Sequence, residues 1–250
     1  MKFLDWLYST YPNPHVNGEW GTLHITVLAI CIAFIVISSL LLKKADRKIK
    51  HTILYIMAGI IFAFGVIRRI VGFINMTDAT LNNILTVLLP RPGCAISCVL
   101  VILAVLINKK YFYNFSAIVG TLCAVVFFAY PGAGFNNEYI LFENLYSIVT
   151  HSLFFIMSIC FITYKFTDFN YKTAWREGIC FALLIIYSFL QIYVLKTSPD
   201  PFYFMPENEV IEVLGGMSYA LYLPLYLVFI AVYICAFYLI PVLSKQKKSK

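Results

Sequence analysis

Charge is what this sequence lacks wherever its apolar residues run long. Of 250 residues, 61% are hydrophobic and only 12% are charged. The few charges fall almost entirely between the apolar stretches, so no element carries the polar face that a water-soluble domain needs. The connectors, in turn, have no cysteine. Cys31, Cys94, Cys98, Cys123, Cys160, Cys180 and Cys235 all lie in apolar stretches. That argues against an extracellular disulfide framework and reads as small packing residues. No CxxC or HxxxH pair occurs, only His24 and His151 lie within apolar stretches, and Cys94 with Cys98 lacks a third ligand. No metal site is therefore expected. A glycine-rich phosphate loop and a GxSxG elbow are also missing, and no cofactor is expected. Met1 to Trp20 has one basic residue and no apolar run, so it is not expected to be a cleavable signal peptide. Its Phe3, Trp6, Leu7 and Tyr8 suit a short segment lying at a membrane interface.

What is present is length. A hydrocarbon core about 30 Å thick takes about 20 helical residues to cross. Seven stretches approach that length: Gly21–Leu42, Thr52–Asn75, Ile84–Ile107, Phe115–Tyr130, Phe142–Tyr164, Gly178–Leu195 and Ser218–Pro241. The expected fold is all-α, a single polytopic membrane bundle of seven transmembrane helices. Connectors one, three and five hold Lys43, Lys44, Arg47, Lys48, Lys50, Lys109, Lys110, Lys165, Lys172 and Arg176, and the C-terminal tail adds four lysines. The N-terminus and the other connectors hold only Lys2 and Lys196. Short basic loops stay cytoplasmic, so the N-terminus is expected outside and the C-terminus inside, in the plasma membrane. The net charge of +7 then reports topology and a surface for anionic lipid, not nucleic acid. Membrane lipids are the expected partners, and no protein partner is legible.

Four charges remain inside the spans: Arg68, Arg69, Arg91 and Glu143. An arginine at the bilayer centre costs about 2.5–3.5 kcal/mol on insertion scales, so each needs a partner or a wet cavity. Arg68 and Arg69 point about 100° apart on a helix and require different partners. Arg91 sits in Leu89-Pro90-Arg91-Pro92-Gly93-Cys94, where two prolines and a glycine predict a kink or break in the third span. Carbonyls freed at that depth must be buried in protein or line a water-filled cavity. Asn144, Ser147 and His151 are three and four residues apart and share one helix face. Arg68, Arg69, Arg91, Asn144, Ser147 and His24 are thus candidate binding residues. Tyr187, Ser188 and Gln191 form a weaker polar stripe. The connector Lys196–Met217, with three prolines and four acids, is long enough to be a lid or binding element.

Cys94 and Cys98 extend the face of Arg91. A cysteine near a guanidinium gains thiolate character, and a histidine at matched depth, His151, would serve as its base in acyl transfer. Packing and interhelical hydrogen bonding are the competing readings of both residues.

Leu89–Cys94 resembles the LPLHLC-type motif in the third helix of YwaF-like integral membrane proteins. Gly120–Pro131 resembles their Gly-Ala-rich helix ending in proline, and Ile148–Leu153 their helix centred on a histidine. His24 and the proline-bearing last span also match. An animal branch of that family transfers acyl groups between phospholipids through the motif cysteine and the helix histidine. The resemblance implies Cys94 and His151 in those roles; Pro92 stands where the motif has histidine. The expected activity is lipid binding with acyl transfer by this pair. The alternative is a non-enzymatic carrier or small-solute binding subunit that uses the broken third helix.

Overall fold

The computed structural model describes residues 20–91, 93–129, 132–135, 141–196, 202–203, 211 and 215–246. The described residues form helices and no strand. They are α1 (Thr22–Leu41), α2 (Arg47–Ile74), α3 (Leu81–Leu88), α4 (Gly93–Ile107), α5 (Lys110–Ala129), the single turn α6 (Gly132–Phe135), α7 (Phe142–Thr163), α8 (Trp175–Phe189) and α9 (Tyr219–Gln246). A π-helical turn, Leu190–Leu195, continues α8. Six helices are long and apolar enough to cross a membrane, and α3 with α4 makes a seventh span if the bent pair counts as one. The architecture is that of a multipass membrane bundle.

The break in the third span falls where the prolines predict it. Leu89 leaves the helix with φ −78° and ψ 139°, the extended region that a following proline imposes. α4 departs from α3 at 58°. At the other end of α3, Thr80 caps the helix by accepting from the Asn83 amide at 3.2 Å, which satisfies one orphan donor of the first turn. α2 and α5 each begin five residues before the apolar stretch does. Their charged first turns lengthen the helix beyond its apolar run.

The central helices are α5 and α7, and both pack against α4. Asn114 through Gly120 are buried without interruption, so this part of α5 faces protein on all sides. Gly120 leaves room there for the Ser158 hydroxyl of α7, which would have to turn aside for a Cβ. Around this core α1, α8 and α9 turn outward such residues as Ile37, Leu40, Leu183, Ile186, Leu225 and Val232. Contiguous apolar faces of that extent suit hydrocarbon.

Connectors one, three and five meet at one end. Arg47 donates to Asn108 Oδ1 at 3.3 Å, its guanidinium lies 4.8 Å over the Phe166 ring, and Asn114 reaches Asp168 at 3.0 Å. The opposite end gathers the break, the end of α2 and the start of α7. Helices therefore run alternately up and down, and the basic connectors share one face. The Phe3–Tyr8 segment, Pro92 and the Tyr130-Pro131 stop lie outside the described residues, as does most of the Lys196–Met217 connector. From the described part of that connector, the carbonyls of Tyr203 and Phe202 accept from the hydroxyls of Tyr222 and Tyr226 at 2.8 and 2.7 Å.

Candidate functional site

The four charges inside the spans share one cavity. It lies between α2 and the broken span, has a volume of about 720 Å³, and is lined by Arg68, Arg69, Arg91, Glu143 and Tyr146. Small-molecule and cofactor sites run from about 300 to 1,000 Å³. The charged groups cluster near the end of α2 and the start of α4. From there the wall continues down α2 through Phe62 and Ile61, and along α4 through Ile102, Leu103 and Leu106. Ala95 to Leu106 covers about 16 Å of helix at 1.5 Å per residue. The cavity is thus amphipathic along its length, cationic at one end and apolar along the rest.

Each arginine is held differently, as their angular offset requires. Arg68 Nε donates to Glu143 Oε2 at 3.1 Å, and its guanidinium sits 4.9 Å above the Tyr146 ring. Arg69 donates through Nε to the Leu88 carbonyl and through Nη1 to the Gly65 carbonyl, each at 3.1 Å. Two neutral acceptors orient the Arg69 guanidinium without cancelling its charge. The break supplies the Leu88 acceptor, so helix disruption and charge placement are coupled.

The Pro90 carbonyl, freed by the same break, accepts from Tyr187 Oη at 3.1 Å and from Gln191 Nε2 at 3.0 Å. The weak polar stripe of α8 therefore closes the backbone of the third span. Gln191 lies on the π-helical turn, a local widening found often at functional sites.

Of the two cysteines, Cys98 lines this cavity and also belongs to the hydrophobic core, while Cys94, one turn nearer the break, packs against that core and is not among the lining residues. The other candidates lie off the cavity. His151 is buried, and its Nδ1–H donates to the Ser147 carbonyl at 2.7 Å. The imidazole stacks on Phe127 with centroids 3.7 Å apart. Asn144 and Ser147 are buried on the same face, as their spacing predicts, and Asn144 donates to the Gly134 carbonyl of α6 at 3.2 Å. This face of α7 holds α6 in place. His24 is fully buried in an aromatic cage, its ring 4.9 Å from that of Trp20, 4.7 Å from Phe135 and 6.1 Å from Phe128. Among the described hydrogen bonds, none joins Cys94 to His151.

Comparison with known proteins adds no relative. No family model, no curated protein and no solved structure matches this chain.

Sequence reasoning missed a second polar centre at the basic end. Asn114 is 1% exposed and Glu177 is 2% exposed. The Asn114 amide donates to Asp168 Oδ1 at 3.0 Å and to Glu177 Oε1 at 2.5 Å. Its carbonyl oxygen accepts from the Asp168 amide at 3.1 Å. An asparagine at the edge of an otherwise apolar run, opposite two acids in the fifth connector, was the available signal.

Proposed function

We propose that this chain is a seven-span plasma-membrane protein, YwaF-like in plan, that holds a phospholipid in the cavity at the broken third span. The observation that carries this reading is the amphipathic cavity, with a guanidinium at Arg69 oriented by two neutral acceptors among the described contacts. The lipid phosphate would lie against Arg69 with Arg68 and Arg91 beside it, where guanidinium geometry suits phosphate oxygens. An acyl chain would follow Ile61, Phe62, Ile102, Leu103 and Leu106. Neither Cys94 nor His151 lines this cavity, so a lipid held here would not meet the pair, and binding is the activity proposed for it.

Lipid extraction from the purified full-length protein, followed by mass spectrometry, tests this. Arg69→Leu is expected to express well, since removing the charge favours insertion. It should retain about tenfold less anionic phospholipid, the loss of one charge-assisted contact. Leu103→Trp should empty the cavity as well, by filling the apolar part while every charge stays. Wild-type phospholipid content in both variants would overturn the proposal.

The orientation proposed is N-terminus outside and C-terminus inside, supported by the basic connectors that share one end of the bundle. Single cysteines at Lys48 and Asn208, in a background without the native cysteines, give the test. Lys48→Cys should react with an impermeant reagent only after permeabilisation, and Asn208→Cys in intact cells. The reverse labelling pattern would invert the assignment.

A further inference from the structure

We propose that the lipid held at the broken span is a phosphomonoester, one whose phosphate is terminal and doubly ionised, as in a phosphatidic acid. This deepens the phospholipid reading above and rests on it. The cavity wall carries three guanidiniums, those of Arg68, Arg69 and Arg91, against one carboxylate, that of Glu143. Three positive charges less one negative leave the described lining with a formal charge of +2.

The cations are gathered rather than dispersed. Arg68 and Arg69 are consecutive on α2, and Arg91 comes from the break, within electrostatic reach of Arg68. An arginine in a span is costly by itself, and bringing like charges together adds to that cost. Glu143 offsets one of them, taking the Nε edge of Arg68 at 3.1 Å. Arg69 is held by two backbone carbonyls, which fix its plane and leave its formal charge in place. A phosphodiester headgroup, with one negative charge on the phosphate, would leave part of the lining charge unmatched. A phosphomonoester carries about −1.5 to −2 near neutral pH and offers three terminal oxygens. It therefore matches the lining in charge, and its three oxygens suit the planar forks of three guanidiniums.

The apolar part of the same cavity selects a lipid over a free phosphate ester. Phe62 and Val66 of α2 and Leu103 and Leu106 of α4 line the cavity and are also exposed. In a membrane these positions, within the spans, meet hydrocarbon. The apolar wall is thus open to acyl chains, and a ligand entering along it brings its phosphate to the arginines last. A soluble phosphate ester would satisfy the arginines and leave that wall uncovered.

Native mass spectrometry of the full-length protein in detergent tests this, at about pH 8, where a phosphate with a second pKa of about 6 is doubly ionised. The probes are dioleoyl phosphatidic acid, dioleoyl phosphatidylmethanol and dioleoyl phosphatidylcholine, with glycerol 3-phosphate as the free headgroup. Phosphatidylmethanol differs from phosphatidic acid by a methyl group on the phosphate, and so by about one charge. Phosphatidic acid should be retained about tenfold over it, the worth of one charge-assisted contact, and the choline lipid should be held least. This comparison is made on the wild-type protein and does not depend on any variant folding. Arg91→Gln should bring the two anionic lipids close to parity while both remain bound. Equal retention of the two by the wild type, or an unchanged preference in folded Arg91→Gln, would overturn the monoester. The phospholipid reading would still stand if both were bound and both were lost in Arg69→Leu. Retention of none of the three lipids would remove that reading and the monoester together. Binding of glycerol 3-phosphate as tight as that of phosphatidic acid would overturn the lipid as its source.

Discussion

Asn114→Ala is expected to cost about 3–5 kcal/mol, the largest loss from any single polar side chain in the bundle. The side chain serves two carboxylates and the Asp168 amide at once. Alanine would leave Glu177 with both oxygens unpartnered among the described contacts and strip Asp168 of its buried donor, while Lys110 at 3.5 Å still faces it. The carboxylates would then repel each other across the gap that the amide fills. Asn114→Asp should be worse still, since it replaces the donor by a third acid. Thermal unfolding in detergent, followed by tryptophan fluorescence or by aggregation, measures the effect. An Asn114→Ala variant that melts within a few degrees of wild type would show that water takes over the role of the amide.

The second large effect is expected from the Pro90 carbonyl and takes the form of a non-additive pair. Tyr187→Phe leaves the Gln191 donor in place, and Gln191→Leu leaves the Tyr187 donor. Each single variant should therefore lose less than about 1 kcal/mol, the ordinary net worth of one hydrogen bond. The double variant strands the carbonyl in a span, where an unpartnered backbone oxygen costs about 1–3 kcal/mol. It should lose clearly more than the sum of the singles. A double-mutant cycle on unfolding free energy checks this. Strict additivity would mean that the cavity already supplies the carbonyl with water, and the two side chains would then be incidental to the break.

Much of the architecture could be read from the chain because hydrocarbon imposes a length and a polarity that leave a plain record. The six long apolar helices, the bent pair that makes a seventh span if counted as one, the break at Pro90 and the inward face of Asn144, Ser147 and His151 all follow from local pattern. The charges inside the spans pointed to the cavity for the same reason: Arg68, Arg69, Arg91 and Glu143 were too costly to leave in lipid, and all four line it. What could not be read was depth and rotation around each helix. Cys94 and Cys98 are one turn apart on α4, and the pattern alone does not tell that Cys98 lines the cavity and Cys94 does not. The pairing of Asn114 with residues 54 and 63 positions away and of Pro90 with residues 97 and 101 away has no local signature. Tyr187 and Gln191 looked weak because a stripe of neutral polar groups says nothing about the carbonyl it will serve.

The placement of Arg69 also has an electrical consequence. It lies five residues before the end of α2, about 7 Å along the axis, or roughly a quarter of a hydrocarbon core about 30 Å thick. A unit charge moved across the whole core works against about 2.3 kcal/mol per 100 mV, so at that depth it carries about 0.6 kcal/mol. In the proposed orientation, in a plasma membrane with a negative interior, the resting potential would draw the guanidinium inward and favour its place beside the broken helix. A phosphate bound there would cancel most of that charge and with it most of the coupling. Occupied and empty cavities would then respond differently to depolarisation, and the membrane voltage would bias which of the two is present.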